Sequence, residues 1–532
     1  MTRSNPTIAI RRFGIGPASA DRDAAESNPK GWLLSQLETT YDKPKEFKGF
    51  MSVAELRAVH HYRYGELNPQ LRRDRRKAAQ AGEDDRAADL SADIQEMLGG
   101  YVTWVRENFM LEFGARTNVA VTTPMPFQER LVRFWANHLV VPGLKQSANL
   151  LAGAYEREVI RPHVNGRFSD MLTACVKNPA MQVFLDNYIS VGPNSKYGKK
   201  YGKGLNENLG REILELHTMG VDGGYTQQDV IELSLGITGW TTWPSAPEDP
   251  EWADVSSDGI DSGAFRFFAD RHEPGPRTML GVKYDQPGIE QGEAMLQDLA
   301  RRPETAHFLA LKMARHFVSD TPPEALVKRM AETYLANDTD LAAMTRVLID
   351  SEEAWGNYGS KLEQPELYVI SVLRALNAPV AGGKVPPQTP YKFGNYDFRK
   401  HAWAYLYDDE YGIVRGKTEK DFPSDYAQNG IEIAALYRDI QGMGQGPLKA
   451  PGPQGWYDRS DDWNGADSLI KRVDFAMAMA NQHAANMKDP RLFARMVFGD
   501  ELSETLQRTV SGAATKEQGI GLALSSPQFQ RR

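Results

Sequence analysis

Residues 203 to 230 read "KGLNENLGREILELHTMGVDGGYTQQDV" and gather Asn, Glu, Arg and His side chains just ahead of a glycine-rich stretch. On a helical wheel, Asn208, Arg211, Glu212 and Glu215 share one arc, while Leu209, Ile213, Leu214 and Leu216 occupy the other side and His217 falls among them. Arg211 and Glu215 are spaced as an i,i+4 ion pair. A surface helix with one ion pair and one core histidine accounts for this pattern. Its polar arc, however, lacks the Lys and Gln that usually fill solvated faces, and Gly220, Gly223 and Gly224 can turn Asp222 and Tyr225 back toward the same side.

The chemistry such a set offers is acid/base work on a glycosidic bond. Glu212 and Glu215, with Asp186 from "FLDN" and Asp222, supply paired carboxylates; burial keeps one protonated while its neighbour stays charged. Asn208, Arg211, His217 and Tyr225 are then orienting or substrate-binding groups. A metal is the second option: His138 in "FWANH", His217, His272 in "DRHEP" and His316 in "ARHF" can join Glu212 or Asp186 around a divalent ion. Their spacing matches no metal motif, so the expected cofactor is none, with a divalent metal as the alternative. There is no GxSxG for a nucleophilic serine. "GKKYGKG" at 198 to 204 lacks P-loop spacing and reads as a flexible basic loop, either seating an anionic substrate or merely solvated.

The elements that must position these groups are mainly α-helical. Trp32, Leu33 and Leu37, then Leu131, Phe134, Trp135 and Leu139, then Leu367, Ile370, Leu373 and Leu376 recur at helical spacing. A charged helical hairpin is expected over about 66–112, interrupted near Gly99 and Gly100. A signature helical core of some five helices comes next over about 128–238, with Asn178 and Pro179 as punctuation and Thr226 with Asp229 as a capping box. Residues of about 239–285 form a loop with a small β-hairpin insertion around "RHEPGP". Helices and long irregular segments fill about 288–532, the whole making one domain of 1–532. Aromatic residues crowd the irregular stretches: Trp240, Trp243, Trp252, Tyr391, Trp403, Tyr405, Tyr407, Trp456, Tyr457 and Trp463. Flat rings there stack on sugar faces or anchor loops to a core. Trp240, Trp243, His272 and Trp456 are the candidates for substrate contact.

The 532 residues carry 62 basic and 70 acidic side chains, a formal charge of −8. The basic run Arg72, Arg73, Arg75, Arg76 and Lys77 is answered by Glu83, Asp84, Asp85, Asp89 and Asp93, so it is a solvated face and no nucleic acid is expected. The single Cys175 excludes an internal disulfide and any multi-cysteine metal site. No apolar run approaches the length of a membrane span, and the N-terminal residues lack a signal-peptide pattern; a soluble protein is expected.

Ordered motifs over nearly the whole chain carry a resemblance. They include "RRFGIGP", "RLVRFWANHLVV", "YEREVIRPHVNGRF", "NPAMQVFLDN", "NENLGREILELHTMGVDGGYTQQDV" with "GITGW", "RHEPGPRTMLG", "SVLRALNAP", "GQGPLKAPGPQGW" and "SPQFQRR". Together they closely resemble the bacterial family known as domain of unknown function 1800 (DUF1800). The resemblance implies a largely helical fold, frequent export to the periplasm or beyond, and frequent encoding beside a sulfatase-like partner. Three expectations of function result: a polysaccharide-acting hydrolase or lyase, a non-catalytic partner of an exported sulfatase-like protein, and a metal-dependent enzyme.

Overall fold

A computed structural model describes residues 5–39, 43–61, 68–242, 264–356, 358–378, 432–484 and 489–532, with a few short pieces between them. The architecture is mainly α. Helix α1 (Asn68–Gln80) turns at Gly82, with φ of +73°, into α2 (Asp84–Thr122). Here the expected interruption at Gly99 and Gly100 is corrected: α2 runs through both over 39 residues. Gly99 does not adopt φ above zero, and residues on both sides continue the helical ladder, so the isolated cost of Gly in a helix is outweighed.

Helix α3 (Pro126–His138) starts on Pro126 and buries nearly its whole length, and α4 (Gln146–Tyr155) continues into a π-helical turn, Glu156–Ile160. The segment 203–230 gives α5 (Asn208–Glu212), which widens into a second π-helical turn over Ile213–Thr218. Within it the Thr218 hydroxyl donates to the Ile213 carbonyl at 2.6 Å, where a regular α-turn would place a backbone partner. Such turns insert a residue and rotate the helix beyond them; they recur near functional sites. Helix α6 (Gln227–Gly236) has the capping box foreseen, Thr226 with Asp229.

Strand β1 (Trp240–Thr242) pairs antiparallel with β2 (Phe265–Phe267), and β3 (Arg277–Met279) with β4 (Val282–Tyr284). The runs flanking "RHEPGP" thus join two separate two-stranded ribbons rather than each other. Helices then resume, including α7 (Pro303–Phe317), α8 (Pro365–Leu376), α9 (Ala466–His483) and α10 (Lys516–Ser525).

Buried apolar side chains form two large clusters. One joins Phe13, Trp135, Phe168, Leu214, Trp240, Met313 and Phe317. The other joins Phe113, Tyr368, Leu373, Phe475, Ile520 and Phe529. Charged side chains are buried as well, among them Glu129, Arg130 and Arg133 of α3, His316 of α7 and Glu366 of α8. No described helix is long and apolar enough to cross a membrane.

Candidate functional site

Buried charges are tolerated only when paired, and the charges buried around α3 obey this. Arg116 Nε meets Glu156 Oε2 at 2.6 Å and its Nη1 meets Glu366; Arg133 Nη1 reaches the same Glu366 oxygen at 2.6 Å. Arg161 bonds Glu129 at 2.6 Å and Glu156 at 2.8 Å. Burial pushes the Glu156 carboxyl up, but Arg116 and Arg161 outweigh it and hold it down at about 2. A second network joins Arg130 to Glu363 at 3.0 Å and to His316 Nε2 at 3.2 Å, while His316 Nδ1 lies 3.0 Å from Asp458. Since Nε2 accepts from Arg130, Nδ1 carries the proton and donates to Asp458. Burial above all lowers His316 to about 4, so the ring is neutral near pH 7.

These two networks flank a cavity of about 480 Å³, within the range of small-molecule sites. Its walls come from α2 (Arg116), α3 (Arg133, Asn137, His138), the end of α4 (Tyr155, Glu156), α7 (Lys312, Arg315, His316), the start of α8 (Gln364, Glu366) and the loop 445–462. That loop is fastened: Asn137 Oδ1 accepts from Trp456 N at 2.7 Å and Asn137 Nδ2 donates to Trp456 O at 2.9 Å. Gly455, at φ +77°, comes so near that a Cβ there would lie 2.3 Å from the Asn137 carbonyl oxygen. Trp456 is thereby fixed as one wall of the cavity.

Also lining the cavity, Lys312 Nζ lies 3.0 Å from His138 Nδ1, and His138 Nε2 lies 3.1 Å from the carbonyl oxygen of His217. The carbonyl can only accept, so Nε2 carries the proton and Nδ1 is the bare acceptor for the lysine. His217 stands at the end of the second π-helical turn, where helix carbonyls lack backbone partners. Burial lowers the Lys312 amine to about 8, with Asp458 opposing and Arg315 adding to the shift. Burial, then Lys312, holds His138 well below the usual histidine range. A lysine whose amine is lowered to about 8 and a neutral imidazole in contact with it both face the cavity.

The signature helix places its own groups elsewhere. No carboxylate of the segment 203–230 lines the cavity. Glu212 and Glu215 are half-buried, and burial first, Glu215 second, pushes Glu212 up to about 7. Tyr225 does turn back: burial first, and the nearby Glu215 carboxylate second, raise its hydroxyl. The Arg211 to Glu215 pair is corrected: Arg211 Nη2 bonds Glu207 at 3.1 Å and Gln227 at 2.8 Å, because the π-helical turn carries Glu215 away from ideal helical phase. Asn208 and Asp222 are exposed, and Asp186 pairs at the surface with Lys145 at 2.7 Å. His217 is fully buried, its ring hydrogen-bonded to nothing among the described residues.

Trp240 is sealed in the core against Phe265, and His272 Nδ1 lies 3.0 Å from the Thr238 carbonyl. Trp243, Trp252, Tyr391, Trp403, Tyr405 and Tyr407 lie outside the described residues. Trp456 lines the cavity, with Tyr457 exposed next to it and the buried Trp463 ring 5.7 Å away. Of the four histidines weighed as metal ligands, His138 and His316 line the cavity, without Glu212 or Asp186. Among the described residues, no group of three or more His, Cys, Asp or Glu is arranged to hold a metal ion.

Sequence reasoning missed Lys312 and Asp458. Lys312 and His316 are one helical turn apart on α7, a spacing that could have drawn notice; Asp458 sits among other acids in a loop, with no signal of its own.

Comparison with curated proteins and with solved structures finds no match. A family model does match, over residues 8–531, and the π-helical turns Ala9–Phe13, Glu156–Ile160 and Ile213–Thr218, the fastened Trp456 loop and the His138 and Lys312 pair fall inside that span. The chain therefore belongs to the family described as protein of unknown function, DUF1800.

Proposed function

We propose that this protein is a hydrolase or lyase acting on a polysaccharide, and that its proton transfers run through Lys312 and His138. The observation that carries this reading is the 3.0 Å contact between Lys312 Nζ and His138 Nδ1 at the wall of a cavity faced by Trp456. An amine lowered to about 8 is mostly protonated at pH 7 and still releases its proton readily. As the glycosidic C–O bond breaks, the lysine hands a proton to the departing oxygen. In hydrolysis water adds to the sugar carbon and gives its spare proton to the lysine amine just vacated; in elimination the neutral amine takes the proton from the carbon beside a sugar carboxylate, a carbon–carbon double bond forms, and that proton passes to the departing oxygen. Trp456 offers the flat apolar face that sugar rings stack on.

The test is a product screen of the purified protein against bacterial, algal and plant polysaccharides. New reducing ends without ultraviolet absorbance mark hydrolysis; reducing ends with the absorbance of an unsaturated uronate mark elimination. Lys312→Met, of similar length, should lose either activity while remaining folded.

A second reading places the acid/base work on the signature helix, supported by the raised Glu212 beside Glu215. Glu212→Gln separates the two: it abolishes product formation under the second reading and leaves it nearly intact under the first. If no substrate in the screen is cleaved, with or without divalent metal, the role as partner of a sulfatase-like protein takes precedence, and a pull-down tests it.

A further inference from the structure

The side-chain charges around the cavity do not cancel. Arg116, Arg133 and Arg161 meet Glu129, Glu156 and Glu366, three cations against three anions. Arg130, Lys361 and Arg532 meet Glu363, Asp458 and Asp320 in the same ratio. His316 adds no charge near pH 7, because burial keeps its ring neutral. Arg459 and Asp462 are exposed, lie three positions apart in the loop and offset one another. Lys312 and Arg315 are left over: both line the cavity, and neither has a carboxylate partner among the described residues.

The two cations stand three residues apart on α7, and so on one face of that helix. Arg315 is half-buried, and its Nε donates to the Asp320 carbonyl at 3.3 Å. That bond orients the guanidinium and leaves both terminal nitrogens without a hydrogen-bond partner among the described residues. Arg315 lies near enough to Lys312 to add to the lowering of its amine, so the two charges repel each other. Like charges held together on a cavity wall gain from an anion that both can reach.

The rest of the wall narrows the choice of anion. A guanidinium edge is a planar fork that matches the two oxygens of a carboxylate, whereas a sulfate ester is tetrahedral and spreads its oxygens out of that plane. Gln364, Gln445 and Gln454 bring amides suited to hydroxyl groups, and Trp456 a flat face, around a volume of about 480 Å³. We propose that Arg315 is the specificity-determining residue of the cavity, seating the carboxylate of a uronate sugar with Lys312 beside it. The proposal rests on the polysaccharide reading above and names its substrate class, a uronate-containing chain.

The experiment measures binding of the full chain to oligosaccharides of galacturonate, glucuronate and mannuronate, each beside its methyl ester, and to a sulfated galactan oligosaccharide. At least one free acid should bind at least about tenfold more tightly than its ester, which keeps the ring and loses the charge. Arg315→Gln should erase that preference, and Arg315→Lys, which restores the charge without the fork, should recover part of it. Circular dichroism and thermal melting establish that both variants are folded. Acids bound no better than their esters, a preference that survives in Arg315→Gln, or a sulfated oligosaccharide bound more tightly than every uronate would each overturn the proposal. Binding is read without turnover, so the two readings fail separately. Cleavage of neutral glycans with no preference for acids refutes the uronate assignment and leaves the polysaccharide reading standing. Acid preference without cleavage upholds the assignment and counts against catalysis in the cavity.

Discussion

His138 donates from Nε2 to the main-chain carbonyl of His217, 3.1 Å away, and so the signature helix reaches the cavity through its backbone rather than through its carboxylates. That bond selects the histidine tautomer which leaves Nδ1 free to meet Lys312. Just beyond, Gly220 adopts φ +83° and a Cβ there would lie 2.9 Å from the Phe308 ring, the ring over which the Lys312 ammonium sits at 5.4 Å. Gly220→Ala should therefore cost about 1–2 kcal/mol of stability and lower activity by about tenfold or more, because the pair is displaced as well as strained. Denaturant titration beside kinetic assay checks both.

The pH dependence of kcat/KM distinguishes the two candidate centres. A limb near pH 8 that vanishes in Lys312→Met points to the lysine, since burial lowers its amine to about 8. With the ammonium as proton donor, activity falls as pH rises through that limb. A limb near 7 that vanishes in Glu212→Gln points instead to the signature helix.

Acid should destabilise the fold earlier than carboxylate protonation alone would. Burial lowers His316 to about 4 and His217 to about 3, from an ordinary value of 6.5. The unfolded chain then binds protons that the native state refuses. Stability is complete above pH 6.5 and is lost as pH falls toward 4, by up to about 1.4 kcal/mol per pH unit for each histidine. Glu156, held down to about 2, extends the loss below pH 4.5 as its ion pairs are protonated. Denaturation midpoints measured from pH 8 to 4 should trace this slope.

Glu366 serves two arginines with one buried oxygen, so Glu366→Gln should cost about 3–5 kcal/mol by removing that shared charge, leaving Arg116 with Glu156 alone and Arg133 with only the longer contact to Glu129. A loss under about 1 kcal/mol, read from urea unfolding, would contradict the paired-charge account of these residues.

Cys175 reports on opening. Its thiol is buried with the Tyr155 hydroxyl 3.0 Å away, and burial pushes it up to about 12. It should resist thiol reagents in native buffer and react at the rate at which the core unfolds.

Local signals were legible in the sequence and long-range ones were not. Helices came through because Leu131, Phe134 and Trp135, or Leu367 and Ile370, advertise a buried face by spacing alone. The Thr226 and Asp229 cap was legible for the same reason: its partners are three residues apart. The Gly99 and Gly100 break was misjudged because local propensity was outweighed by a helix of 39 residues. A wheel drawn at ideal pitch mispaired Arg211, since a π-helical turn leaves no mark in residue types. Lys312 meets His138 across 174 positions, and Asp458 meets His316 across 142. Nothing local encodes such meetings.

The buried charge network has a temporal consequence. Arg116, Lys312, Glu366 and Asp458 reach the cavity from distant parts of the chain, and Arg11 donates to the Phe529 carbonyl, 518 positions onward. Contacts of such span form slowly, after local helices, because loop closure must precede them. The cavity is thus among the last features to exist on the folding route, and an emerging polypeptide holds all its helices of the first half before it holds a site. Refolding followed by helical signal should run ahead of refolding followed by ligand binding, with the interval between them belonging to the assembly of this one interior network.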